Sequence, residues 1–243
     1  MMTAIKTVNL TKKYCDTTAV DKINLEIAKG ELFGLLGVNG AGKTTTIKML
    51  SGLAVPTDGE AFVFDHSIKT ELNEVKKLIN ISPQETAVAP NLTVKENLEL
   101  IAQIYGISKA DSIKKSQDII NSFELTEVMN KRAKTLSGGW QRRLSIAMAM
   151  ITDPKVIFLD EPTLGLDVLA RRELWGFIKS LKGKITIVLT THYLEEVEAL
   201  SDRIAVMVGG KIKALGTADE LKESTGQNTL EDAFVEIAQG GTK

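Results

Sequence analysis

The sequence predicts an α/β fold in which strands alternate with helices at both ends of the chain and a purely helical stretch interrupts them in the middle. Three observations carry this. The apolar runs "ELFGLLG", "VIFLD", "ITIVLTT" and "RIAVMV" are strand-length and near-continuous, as in parallel strands covered on both faces. Stretches with helical signals separate them. Residues 85–153 hold helix signals and no strand signal, so a helical insertion divides the sheet-forming halves.

In chain order, "INLEI" (Ile23 to Ile27) alternates as a half-buried strand does, and "ELFGLLG" follows as a covered one. "PTDGE" (Pro56 to Glu60) is turn chemistry leading into the strand "AFVF". "ELNEVKKL" reads as a short helix and "INIS" as a strand. Thr93 and Glu96 then form a capping box. Leu98, Ile101, Ala102 and Tyr105 make a helical stripe that Gly106 ends. Ser108 to Asp111 starts another helix, with helical character to about Glu127. Behind Ser137 at an N-cap position, Trp140, Leu144, Ala147, Met148 and Ile151 repeat on one helical face. From Lys155 strands return as "VIFLD", "ITIVLTT", "RIAVMV" and, after a turn at Gly209 and Gly210, "KIKAL". Helices over Ala170 to Leu181 and through "EEVEAL" lie between them, and Thr217 to Glu220 and Thr229 to Asp232 mark two final helix starts.

The 243 residues are 43% hydrophobic and 25% charged, an ordinary globular composition. A net charge of -1 gives no bulk attraction for nucleic acid, and no nucleic-acid partner is expected. The short basic runs at Lys131 to Lys134, Arg142-Arg143 and Arg171-Arg172 read as solvated helix faces or local contacts. One cysteine, Cys15, excludes an internal disulfide and a cysteine-rich metal site. "MMTAIKTVNL" lacks the basic and apolar regions of a signal peptide. No apolar run approaches the ~20 residues of a membrane helix, so any membrane spanning is expected of another chain.

The helix behind Ser137 poses a question. Gly138 and Gly139 occupy its first turn, where each weakens a helix by up to ~1 kcal/mol relative to Ala. One reading is a flexible joint between helices. The other is a close approach by an anion to bare amides at a helix N-terminus. The rest of the chain favours the second. "GVNGAGKT" (Gly37, Val38, Asn39, Gly40, Ala41, Gly42, Lys43, Thr44) fits G-x-x-x-x-G-K-[ST] and lies between a strand and a helix that continues through Thr45. Its glycines let successive amides curl around phosphate oxygens, Lys43 suits the β- and γ-phosphates, and the Thr44 hydroxyl suits Mg2+. "VIFLDEPT" ends a strand in Asp160 and Glu161, on the edge where open α/β sheets bind ligands. Asp160 suits Mg2+ through water, and Glu161 suits the proton of an attacking water. His192, after "IVLTT", falls on the same edge, at a position that favours a γ-phosphate contact; His66 is assigned nothing.

In their order along the chain, the Tyr14 region, "GVNGAGKTT", Gln84, "LSGGW", "VIFLDEPT", "LGLD" and "TTH" resemble the nucleotide-binding subunit of an ATP-binding cassette (ABC) transporter. "LSGG" shortly before the "LDEP" strand makes the resemblance specific. It implies a P-loop NTPase core with a mainly parallel sheet, an N-terminal antiparallel β subdomain and an inserted α-helical subdomain. The expected layout is one ABC ATPase domain over 1–243: core with β subdomain at 1–84 and 155–220, helical signature subdomain at 85–154, and C-terminal helical tail at 221–243.

The resemblance further implies that two such subunits pair head to tail around ATP. Ser137, Gly138 and Gly139 of one would then contact the γ-phosphate held by Gly37 to Thr44 of the other, the glycines keeping side chains out of the way. Tyr14 is expected to stack on adenine, Gln84 to reach Mg2+ or water and sense the membrane partner, and Asp167 to shape the dimer contact. Three departures from the family pattern stand out: Trp140 for the usual Gln, Val168 where Pro is frequent, and Cys15 where Gly is common. The catalytic elements are otherwise intact, which implies a homodimer with two working sites on the cytoplasmic face of a membrane beside separate permease subunits. "LTVKENL", "GLD" and "TLEDAFVEIA" resemble bacterial exporters of the drug, polysaccharide and haem-maturation type. An importer subunit, a soluble ABC ATPase acting on ribosomes or DNA, and a nucleotide switch without turnover remain the alternatives; a GTPase is excluded by the lack of N-K-x-D.

Overall fold

The structure, a computed structural model, describes residues 2–240; Met1 and the last three residues of the expected tail lie outside the described residues. Two sheets face each other. The first is antiparallel and four-stranded, built from β1 (Thr3–Tyr14), β2 (Thr17–Ala28), β4 (Asp58–Val63) and the two-residue β5 (His66–Ser67) in the order β2-β1-β4-β5. The second is six-stranded, with β3 (Leu32–Leu36), β6 (Ile79–Ser82), β7 (Val156–Asp160), β8 (Thr186–Thr191), β9 (Arg203–Val208) and β10 (Lys211–Gly216) in the order β10-β9-β3-β8-β7-β6. Only β10 runs antiparallel to its neighbour; every other pair in this sheet is parallel. The sheet is therefore mainly parallel, and the N-terminal sheet is antiparallel, as expected.

Burial follows the residue pattern. Every residue of β3, β7 and β8 is buried, because layers cover both faces. The strand β2 alternates from Lys22 to Ala28, because one face looks into the core and the other to solvent. Helix α1 (Lys43–Leu50) lies between the sheets, its Ile47, Met49 and Leu50 packed with Leu25, Phe33 and Phe158.

Between β6 and β7 the chain is helical, apart from one isolated bridge between Thr93 and Arg132. Helix α2 (Leu72–Leu78) precedes this insertion, which contains α3 (Val94–Ile104), α4 (Lys109–Ser122) and α5 (Gly138–Ala149). The capping box is present: Thr93 Oγ1 accepts from the Glu96 amide at 3.2 Å, and Glu96 Oε2 accepts from the Thr93 amide at 2.7 Å. Gly106 ends α3 with φ +82°, and the Ile107 amide bonds back to Ala102 O at 3.1 Å.

The next helix departs from expectation. α4 stops at Ser122 rather than running to about Glu127. The same closing turn forms there, with Glu124 at φ +54° and the Leu125 amide on Ile120 O at 2.9 Å. A glutamate stands where glycine usually marks that turn, so its sequence carried no stop signal. Burial of Phe123 and Leu125 holds the turn in place.

The last helices are α6 (Val168–Leu181), α7 (Leu194–Leu200), α8 (Ala218–Thr225) and α9 (Leu230–Gln239). Parallel pairing puts the C-terminal ends of β3, β6, β7 and β8 on one edge, with Leu36 opposite Thr191, Asp160 opposite Thr190 and Ser82 opposite Leu159. The residues that follow these ends are Gly37, Gln84, Glu161 and His192, so topology alone gathers segments far apart in sequence.

Candidate functional site

The loop from Gly37 to Gly42 leaves β3 and turns directly into α1. Two of its glycines are required by their surroundings. A Cβ on Gly37 would stand 2.4 Å from Met207 O, and one on Gly42 2.4 Å from Ala19 O, with Gly42 at φ +107°. Lys43 reaches back over the loop it follows: its Nζ donates to Gly37 O at 2.6 Å and pairs with Glu161 Oε1 at 3.2 Å.

Glu161 is held from three sides. Its other carboxylate oxygen takes the Nδ1 of His192 at 2.8 Å, and its amide donates to Thr190 O at 3.0 Å. The backbone there has φ +48°, a left-handed conformation worth roughly 1–3 kcal/mol of strain in a non-glycine residue. Such strain turns the carboxylate out of the strand line and over the phosphate loop. One residue earlier, Asp160 Oδ1 accepts from Thr44 Oγ1 at 3.2 Å and from Thr190 Oγ1 at 2.5 Å.

These groups border a cavity of about 420 Å³ lined by Tyr14, Val38 to Thr45, Gln84, Glu161 and His192, with Ala19 and Leu164. Tyr14 is half exposed at its rim rather than packed beneath the sheet, with Lys12 Nζ 4.9 Å from its ring centroid. Gly37 and Asp160 sit just outside the lining, each one bond from a residue in it. The oxygen donors Thr44 and Asp160, with Gln84 at the same cavity, match the ligands a hard divalent cation takes. The amides of the loop and Lys43 match phosphate.

The remaining predicted residues lie elsewhere. Ser137, Gly138 and Gly139 do not line this cavity. They open α5 at a separate surface, where Ser137 and Gly139 border a small cleft with Arg143 and Ala170. Ser137 takes the N-cap position but makes no capping bond with its side chain, so its hydroxyl is exposed and uncommitted. The glycines also have a role inside the chain: a Cβ on Gly138 would come 3.2 Å from Leu166, and one on Gly139 3.2 Å from Ala170. Asp167 caps α6, accepting from the Leu169 and Ala170 amides at 2.9 Å. Cys15 is exposed beside Tyr14 and is not among the cavity's lining residues. His66 pairs with Glu71 at 3.0 Å, away from the site.

Two residues behind the cavity were not singled out from sequence. Arg142 is only 4% exposed, so of the two readings of that basic run the solvated face fails here and the contact reading holds; its neighbour Arg143 lies over the Trp140 ring. Glu196 is fully buried on α7 and accepts from Trp175 Nε1 at 3.1 Å. Their positions on helical faces held the only signal, and helical spacing cannot announce a buried charge. Burial pushes the Glu196 carboxyl pKa up, and the Glu161 carboxylate adds to the shift. The folded protein therefore binds more protons than the unfolded chain between the ordinary carboxylate value and the raised one, and stability falls as pH rises through that window. Glu196→Gln keeps an acceptor for Trp175 and removes this loss. Urea unfolding across pH is expected to find the variant more stable than the parent at pH 8, with the gain vanishing near pH 4.

Known proteins resemble this chain in sequence and in fold. The sequence model described as "ABC transporter" matches residues 20–164. The chain is 42% identical over 228 residues to the daunorubicin/doxorubicin resistance ATP-binding protein DrrA of Streptomyces peucetius, covering 93% of this chain and 69% of that protein. It is similar in structure to the ATP-binding subunit of an ABC transporter, with a TM-score of 0.82 and 28% identity over 96% of this chain and 99% of the other. It is also similar to an ATP-binding cassette in a dimeric post-hydrolysis state bound to ADP and Pi, with a TM-score of 0.77 and 27% identity over 88% and 98%.

Proposed function

The chain belongs to the ABC transporter family, and from that premise we propose that it is the ATP-binding and ATP-hydrolysing subunit that drives a separate membrane permease, in the direction of export. The observation that carries the reading is the single edge where Lys43, Glu161 and His192 are joined by an ion pair and a hydrogen bond over the phosphate loop. Among the described residues no helix is long and apolar enough to cross a membrane, and in this reading a partner chain carries the substrate path. The export reading draws on DrrA, named for drug resistance.

In this reading the loop amides and Lys43 bind the phosphates, Tyr14 stacks on adenine, and Glu161 accepts the proton of the attacking water. His192 contacts the γ-phosphate and, through Nδ1, keeps the Glu161 carboxylate aimed. Thr44, Asp160 and Gln84 would hold Mg2+, which when bound neutralises charge on the transferred phosphate. Ser137 to Gly139 serve the ATP of a second copy, and Asp167 fixes the start of α6 beside that contact. Residues 1–84 and 155–220 act as the core with its β subdomain, 85–154 as the helical signature-bearing part and 221–243 as a tail. A groove lined mainly by apolar residues, among them Ile81, Pro83, Ala87, Ile101 and Tyr105, adjoins Gln84, and Leu100 and Ile104 are exposed on α3, which supports docking of a permease helix there. That would put the protein on the cytoplasmic face of a membrane.

The test is capture of Glu161→Gln with Mg-ATP from detergent-solubilised membranes of the source cell. A polytopic membrane protein that co-purifies, and is released when ATP is omitted, is the expected result. Ribosomal or DNA-bound partners without a membrane protein would overturn the transport assignment.

A further inference from the structure

Three residues in a row, Ser82 to Gln84, are fastened to helix α5, and two side chains on one face of that helix do it. Arg142 spans two consecutive carbonyls: Nη1 donates to Pro83 O at 2.6 Å and Nη2 to Gln84 O at 2.5 Å. Three residues on, Ser145 Oγ meets Ser82 Oγ at 2.9 Å. Such a fork is a rigid, planar connection that a lysine's single nitrogen does not reproduce. The guanidinium is buried under the nucleotide-facing loops, where burial lowers its pKa and the Asp160 carboxylate partly offsets that. The same helix begins at Ser137 to Gly139, and Gly139 is about 4.5 Å along the axis from Arg142 at 1.5 Å per residue.

We propose that Arg142 is the positioning residue for Gln84, latching the loop that carries it to the helix that begins at Ser137, so that movement of the helix start and placement of the Gln84 side chain are one motion. The proposal rests on the reading of the site given above. It makes the placement of Gln84 in one nucleotide site depend on where the same chain's α5 sits against a second copy. A helix is stiff over one turn, and the two bonded carbonyls leave the loop no independent path at that point.

Arg142→Gln and Arg142→Lys test it, with a readout that needs neither metal nor turnover. Glu85 is exposed on the loop just after the latched carbonyls. A glutamate-specific protease is expected to cut after Glu85 about tenfold faster in both variants, with cleavage at other glutamates and the melting temperature as in the parent. Steady-state hydrolysis is expected to fall about 10–100-fold, the usual cost of removing an outer-shell support, with half-saturating ATP within about twofold. Adding Gln84→Ala to Arg142→Gln is expected to cost nothing further, because both remove the same function. Faster cleavage at every glutamate with a lowered melting temperature would make Arg142 a general fold residue and overturn the latch. So would multiplicative losses in the double variant, or full rescue by lysine. A parent protein that hydrolyses no ATP would instead overturn the ATPase reading, while cleavage after Glu85 would still report on the latch.

Discussion

Glu161→Gln is expected to lower ATP hydrolysis by at least about a hundredfold while ATP binding persists, the loss typical of removing a general base. The geometry explains why the two effects separate. Glu161 is 5% exposed, so its charge acts in a poorly screened place, and among the described residues Lys43 and His192 are the side chains that reach its oxygens. Glutamine keeps an oxygen for His192 Nδ1 but loses the basicity that takes a proton from water. Lys43 loses an ion-pair partner at 3.2 Å and so faces phosphate with less competition. ATP then persists between two copies, and gel filtration with ATP is expected to shift the protein from one to two chains of 26.5 kDa each. Phosphate release, equilibrium nucleotide binding and gel filtration measure the three consequences. Turnover equal to the parent's would remove Glu161 from the reaction.

The second large effect concerns a site shared between copies. Lys43→Ala and Gly138→Asp are each expected to be nearly inactive, the first for want of phosphate binding, the second because a carboxylate would face the incoming γ-phosphate. Gly138 is exposed, and the nearest atom to its added Cβ is the flexible end of Leu166, so the aspartate leaves the fold intact. Mixed together, the two proteins are expected to regain about a quarter of parental activity. Random pairing makes half the dimers mixed, and each mixed head-to-tail pair has one site with both parts intact. Measured hydrolysis at a series of mixing ratios should peak at equal amounts. No recovery at any ratio would rule out independently working composite sites.

Much of this site was legible before the fold. The motif Gly37 to Thr44, the strand ending in Asp160 and Glu161, and His192 are local patterns whose chemistry depends on a few neighbours in sequence; the cavity unites Val38 to Thr44, Glu161 and His192 with Tyr14 and Gln84, and Gly37 and Asp160 stand just behind its lining. The capping box at Thr93 and the glycine stop at Gly106 were legible for the same reason: each is closed by bonds within a few residues. The end of α4 was not, because a glutamate in a left-handed turn has no signature of its own and is held by burial of Phe123 and Leu125.

Residue order thus determined most of the strands, the phosphate-loop motif and the identity of the groups gathered at the cavity, since these rest on backbone chemistry and short-range spacing; the first strand and the two-residue β5 became visible only in the structure. Tertiary structure decided what depends on contact across the chain. Parallel pairing brought Glu161 to Lys43, separated by more than a hundred residues. It also turned Arg142 from an ordinary member of a basic pair into a buried fork on Pro83 and Gln84, and Glu196 from one of several acids on α7 into a fully buried carboxyl. Burial and partnership of a charge are properties of the packed molecule, because the cost of taking a charge out of water and the groups that offset it come from segments remote in sequence.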